Sequence, residues 1–70
     1  VPKSIELTDR ERQLLRGILA DQTYSQIAHD LGLSHETIKS YAARVRSKLG
    51  IYSKVGLAVW ASKHKQKLKD

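Results

Sequence analysis

The sequence predicts an all-α fold of four short helices, and three observations carry that prediction. Apolar residues recur at three- and four-residue spacing, which places them on one face of a helix. Each such run opens on Ser or Thr and two of them close on Gly, the residues that cap helices at either end. No strand pattern, heptad run or long internal repeat competes with this reading.

The first helix lies in "LTDRERQLLRGILA". Thr8 is its N-cap and Glu11 stands three residues on, the reciprocal capping box that satisfies two free backbone donors. Leu14, Leu15, Ile18 and Leu19 then form one apolar stripe. "TYSQIAHDLG" repeats the device with Thr23 and Gln26, and turns Ile27, Ala28 and Leu31 inward. Gly32 ends that helix because glycine enters the left-handed C-cap conformation without steric cost. Ser34 caps a third helix that runs to about Leu49 and stops at Gly50. Ser53 caps a fourth, "KVGLAVWASKHKQ", expected to fray into a lysine-rich end.

Length and charge limit what such a fold can do. At 70 residues the chain is one domain, large enough to bury only roughly 60% of its unfolded surface and too small for a deep catalytic cleft. We divide it into a linker end at 1–6, a domain at 7–66 and a basic tail at 67–70. The start at Val1 and the linker-like "VPKSIE" predict a domain excised from a longer chain. No stretch approaches a membrane span or a signal peptide, and with no cysteine a reducing cytoplasm fits. Of the net charge of +6, residues 34–70 carry nine Lys and Arg against Glu36 and Asp70, whereas residues 1–33 are slightly acidic. A positive field confined to one half points to a polyanionic partner.

The join between the second and third helices narrows that partner. Counting from Tyr24, a small residue (Ala28) is fifth, Gly32 ninth, Ile38 fifteenth and Tyr41 eighteenth. The small residue lets the helices approach, the glycine makes the turn, and the later two seat the second helix on the first. That is the layout of a helix-turn-helix over 24–49, whose second helix enters a DNA major groove; the alternative for this spacing is an ordinary helical corner in a bundle.

A helical wheel of "HETIKSYAARVRSKL" supports this reading. At about 100° per residue, Ile38, Ala42, Val45 and Leu49 face the core, with Tyr41 at their edge. Glu36, Ser40, Ala43 and Ser47 face away. His35, Lys39 and Arg46 border that outward face on one side, and Thr37, Arg44 and Lys48 on the other. A helix about 10–12 Å across fits a groove about 12 Å wide only if its leading edge is slim, and the walls of that groove are phosphates. A membrane-surface helix would need a broad apolar face for lipid, but here the core takes it. The remaining alternative, a merely solvated face, normally mixes charge signs, whereas Glu36 is the only acid between 34 and 69.

The blocks "LTDRERQLL", "TYSQIAHDLGLSHETIKSYAARVRSKLGI" and "YSKVGLAVWA" together resemble the LuxR type (also FixJ or NarL type) of helix-turn-helix DNA-binding domain. The resemblance covers residues 7 to about 62. It implies a four-helix domain that is the C-terminal output domain of a bacterial transcription regulator, commonly a two-component response regulator. It also implies binding to double-stranded promoter DNA, usually as a dimer. Lys39, Ser40 and Ala43 match family positions that face base edges. Thr37, Arg44, Arg46 and Lys48 match, or lie beside, positions near the phosphate backbone. To these the residue reading adds His35 on a cationic shoulder, and the helix starts at Thr23, Tyr24 and Ser34, where free amides can hold phosphate. Gly56 stands where relatives commonly have glutamate, which predicts a weaker start to the fourth helix.

On the fourth helix, Val55, Ala58, Val59 and Ser62 form one side, and Leu57, Trp60, Ala61 and Leu68 another. A helix in so small a domain buries one face, so the first set is the candidate homodimer interface, a use the resemblance also implies. The alternative is that Trp60 folds over a core edge and leaves no patch exposed. RNA polymerase is a candidate further partner; no cofactor, metal or small-molecule ligand is expected. His29, His35 and His64 lack metal-ligand spacing, and no nucleophile sits beside a base, so an enzyme is not expected. Two rivals remain at this stage. One is a promoter reader like region 4 of a sigma factor, which usually ends near the recognition helix. The other is a helical protein-interaction module that does not bind DNA.

Overall fold

Four capped helices and a closing turn make up the domain. The computed structural model describes residues 7–68, so the linker end at 1–6 and the last two tail residues lie outside the described residues. Its elements are α1 (Asp9–Leu19), α2 (Tyr24–Leu31), α3 (His35–Leu49), α4 (Lys54–Lys63) and a 3-10 turn (Lys65–Leu68). Every cap the sequence predicts is made. The Thr8 hydroxyl accepts from the Glu11 amide at 3.2 Å, and Glu11 accepts from the Thr8 amide at 2.9 Å. Thr23 and Gln26 repeat this at 3.1 and 2.8 Å. Gly32 and Gly50 end α2 and α3 in the left-handed conformation, with φ of 69° and 70°.

The turn after α1 is the one the sequence did not announce. Asp21 takes φ 64°, and the amides of Asp21 and Gln22 bond to the carbonyls of Ile18 and Gly17 at 3.0 Å. No glycine marks this stop, but aspartate is among the few other residues that tolerate the left-handed region.

α1 is the central element, in contact with every other helix and with the closing turn. Its Leu14, Leu15 and Ile18 meet Ile27 and Ala28 of α2, Ile38, Ala42 and Val45 of α3, and Leu57 and Ala61 of α4 in one buried cluster. Gly17 lets α2 cross closely, since a Cβ there would lie 2.7 Å from Ile27 Cγ1. Gly56 has a parallel role, for its missing Cβ leaves room for Ile51 Cγ2, 2.6 Å from where that atom would be. The expected weak start of α4 is therefore corrected. Ser53 accepts from the Gly56 amide at 3.0 Å, and the helix begins with an ordinary cap.

Packing continues past residue 66, where the domain is expected to end. Leu68 is buried in the core cluster, and its carbonyl accepts from the Arg16 guanidinium. Ordered packing thus runs two residues into the segment read as a basic tail. Among the described residues, no helix is long and apolar enough to cross a membrane.

Replacing Gly17 by valine should lower stability by about 1–3 kcal/mol, because Ile27 is buried and has little freedom to withdraw. Urea denaturation followed by circular dichroism measures this; an unchanged midpoint would contradict the close crossing of α1 and α2.

Candidate nucleic-acid interface

Three residues, Gly32 to Ser34, join α2 to α3, and packing fixes the rotation of α3 about its own axis. Ile38, Ala42 and Val45 are at most 1% exposed. With that face buried, Glu36, Ser40, Ala43 and Ser47 are exposed on the opposite side, as the wheel requires. His35 and Lys39 flank this ridge in solvent and Arg46 flanks it half-buried. On the other side Arg44 is exposed, its guanidinium carbon 6.0 Å from the centre of the Tyr41 ring. Thr37 is half-buried as a residue, and its hydroxyl lies 2.8 Å from that of Ser34. The structure brings together Lys39, Ser40, Ala43, His35, Thr37, Arg44 and Arg46 on one side of one helix.

Lys48, expected beside the phosphate backbone, also has a partner within the domain. Its Nζ lies 2.8 Å from Glu11 Oε1, and Glu11 is only 3% exposed. A buried carboxylate needs a counter-charge, and the Lys48 ammonium supplies it from the last turn of α3. The pair ties α3 to α1. Burial pushes the Glu11 pKa up, but hydrogen bonds from Lys48 and Thr8 and the charge of Lys48 outweigh it, so the carboxyl titrates below its ordinary value. The sequence held a signal for this contact, since Glu11 falls on the same stripe as Leu14, Leu15 and Ile18.

Glu36 has a different standing. The third helical position of α3 is Thr37, whose amide bonds to Ser34 at 3.1 Å, so α3 lacks the acidic half of a capping box. The Glu36 carboxylate lies 4.0 Å from Lys39 Nζ, with both side chains more than half exposed. At that separation in solvent the pair contributes little to stability, although the acid still favours the positive end of the helix.

The corner at the start of α2 extends the cationic surface. Lys54, which sequence reasoning missed, places Nζ 4.9 Å from the centre of the Tyr24 ring and 3.1 Å from the Gln22 carbonyl. No helical periodicity reveals a contact across thirty-odd residues. The Tyr24 hydroxyl is buried without a hydrogen-bond partner among the described residues. At this corner the tyrosine can therefore offer its backbone amide to an anion, and not its hydroxyl. The Thr23 amide is taken by Gln26, which leaves Thr23 its hydroxyl hydrogen.

α4 is divided as the two stripes on it imply. Leu57 and Ala61 are buried, and with them Leu68 from the closing turn; Val55 and Val59 remain 74% and 49% exposed, Ser62 is exposed and Ala58 half-buried. Trp60 stacks on His64 with ring centres 4.3 Å apart and does not cover the valines. Among the described residues, no group of three or more His, Asp or Glu could hold a metal ion.

Comparison with known proteins gives one consistent result. Residues 6–61 match the family described as bacterial regulatory proteins, luxR family. The DNA-binding transcriptional activator DevR/DosR of Mycobacterium tuberculosis is 38% identical over 60 residues, covering 86% of this chain and 28% of that protein. The response regulator UvrY of Escherichia coli K12 is 38% identical over 58 residues, covering 83% and 27%. A solved structure of Vibrio cholerae VqmA, described as a dimer in the absence of its target DNA, superposes with a TM-score of 0.81 at 35% identity, covering 86% and 27%. The chain spans little more than a quarter of the length of these relatives.

The Glu11–Lys48 pair yields a stability prediction with a definite sign. Because the folded pKa of Glu11 is depressed, its stabilising contribution is present above the unfolded value near 4.5 and is lost as pH falls through the folded value. Lys48→Met should cost about 1–3 kcal/mol at neutral pH, since it leaves a buried acceptor without its charged donor. Glu11→Gln should flatten the acid limb of the stability curve. Thermal melts from pH 7 down to pH 3 read both effects, and an acid limb identical in Glu11→Gln and the parent would remove the pair from the account.

Proposed function

The chain belongs to the luxR family of bacterial regulatory proteins, and from that premise we propose that it is the DNA-binding output domain of a transcriptional regulator. It inserts α3 into the major groove of double-stranded promoter DNA. The observation that carries this reading is the exposed face of α3, a ridge of Ser40, Ala43 and Ser47 with cations on both shoulders. Only Glu36 interrupts it. The family match runs through most of α4, beyond the point where a sigma-type module usually ends. The reading is of a binding module rather than an enzyme, acting where the bacterial chromosome is, in the cytoplasm.

The contacts divide by chemistry. Lys39 can donate to guanine O6 and N7, Ser40 can donate or accept, and the Ala43 methyl can meet a thymine methyl. Arg44, Arg46, His35 and Thr37, with the helix starts at Thr23, Tyr24 and Ser34, hold phosphates on the two strands; these contacts set register and carry no sequence information. Glu36 contributes at the helix start and, as an anion near phosphates, lowers affinity for DNA of any sequence.

The side of α4 formed by Val55, Ala58, Val59 and Ser62, exposed except for the half-buried Ala58, is the proposed homodimer face. A two-fold pair of domains would set two copies of α3 on half-sites about one helical turn apart, roughly 34–36 Å. RNA polymerase is a further proposed partner, in keeping with the relative named as a transcriptional activator.

Selection of bound sequences from a random duplex pool tests the central reading. Lys39→Ala should relax the preference at one or two base pairs, at about 1–3 kcal/mol for the affected position. Arg46→Ala should weaken all sequences alike and make the log–log salt slope shallower by about 0.9. If the two variants behave identically, base reading and positioning are not separated as described; if the parent shows no salt-sensitive binding to any duplex, the chain is a protein-interaction module. Val59→Asp should abolish cooperative occupancy of paired half-sites while leaving single half-site affinity within about twofold, as expected of a substitution remote from the duplex. Equal cooperativity in Val59→Asp and the parent would remove α4 as the dimer face.

A further inference from the structure

The turn from α3 to α4 carries an aromatic side chain with no packing role. Tyr52 is 95% exposed. Its neighbours in sequence are accounted for: Ile51 packs against the core cluster and Ser53 caps α4. Holding a bulky, half-apolar ring in water gains nothing for the fold, and amphipathic aromatics of this kind are favoured where one end meets an apolar body and the other a polar group.

Tyr52 forms one wall of an open cleft of about 460 Å3, whose other lining residues are Ala43, Arg46, Ser47, Gly50 and Ile51. Ala43 and Ser47 belong to the outward ridge of α3, so the cleft adjoins the trailing half of the proposed groove-facing surface. Arg46 brings a cation to it, and Ser47 and Tyr52 bring hydroxyl groups. Among the described residues, none that lines it is acidic. The lining thus offers donors and positive charge to an anion, and an apolar ring face to whatever carries that anion.

We propose that this cleft receives a sugar–phosphate segment of one strand of the duplex, making Tyr52 a positioning residue for DNA recognition. Of the two strands that border a groove filled by α3, the one on the Arg46 side passes that shoulder and meets the Tyr52 wall. The Tyr52 hydroxyl then donates to a phosphate oxygen that Arg46 also holds, while its ring lies against the adjoining deoxyribose. Phosphate oxygens and sugars are where tyrosine, serine and arginine side chains most often contact DNA outside the base edges. This inference rests on the reading of α3 as the groove-inserted helix. It extends the contact surface past the last turn of α3 and fixes how deep the trailing end of that helix sits.

The test uses the selected duplex and the intact chain, with binding measured by anisotropy at several salt concentrations. Tyr52→Phe should weaken binding about three- to tenfold and Tyr52→Ala about ten- to thirtyfold, equally across sequences. Because tyrosine is uncharged, both should leave the salt slope unchanged, unlike Arg46→Ala. A duplex with a single methylphosphonate at the phosphate next to the trailing end of α3 should lose affinity with the parent but lose no more with Tyr52→Phe. So exposed a position should leave the melting temperature unaltered, which separates a binding defect from a folding one. Parent-like affinity in Tyr52→Ala, or full additivity between Tyr52→Phe and a methylphosphonate at every position, would overturn the proposal while the reading of α3 stands. Failure of the parent itself to bind DNA would instead overturn that reading.

Discussion

The rotational setting of α3 is the constraint on which everything else rests. A helix of 15 residues has one face to bury, and here Ile38, Ala42 and Val45 bury it against the leucines of α1. Turning the helix by a single residue, about 100°, would expose that apolar stripe and bury charged residues in its place. The Lys48–Glu11 pair reinforces the setting at the far end of α3, because the buried carboxylate has its counter-charge only when α3 holds this phase. A short ridge between cationic shoulders is thus presented by the packing itself.

The same economy shapes the rest of the domain. α1 takes the central position and gives up surface exposure to do so, while α2 braces α3 through the close crossing that Gly17 allows. α4 leans on α1 with Leu57 and Ala61 and is left with a second apolar side, Val55 and Val59, for which the domain has no use of its own. Separate helices around one small core are thus left for the two proposed duties, α3 for the duplex and α4 for the second copy. The Lys54 contact with Tyr24 and the Gln22 carbonyl ties the start of α4 to the start of α2, which braces the corner beside α3.

Most of this fold could be read from residues. Thr8 with Glu11, Thr23 with Gln26, and the glycines at 32 and 50 each act locally, so their signals survive in the linear sequence and the helices begin and end where those signals place them. The ridge and shoulders of α3 were likewise legible, since a helical wheel needs only the period and one apolar stripe. What escaped was tertiary. Lys48 has the spacing of a shoulder residue, and its pairing with Glu11, 37 positions earlier, is not visible in that spacing. Leu68 aligns with the Leu57 and Ala61 side of the fourth helix but sits among lysines, and the sequence does not show that Arg16 and the core hold it. Gly56 suggests a weak helix start until Ile51 is found in the space it leaves.

The central claim is that α3 meets the duplex along its ridge, and amide chemical-shift mapping tests it most directly. The labelled domain is titrated with a duplex that carries a single selected half-site, so that no second copy is recruited. The largest perturbations are expected on Ser34 to Ser47, with weaker ones at Thr23 and Tyr24 and little change on the Val55–Val59 side of α4. Perturbations centred on that side of α4, with the α3 amides undisturbed, would contradict it.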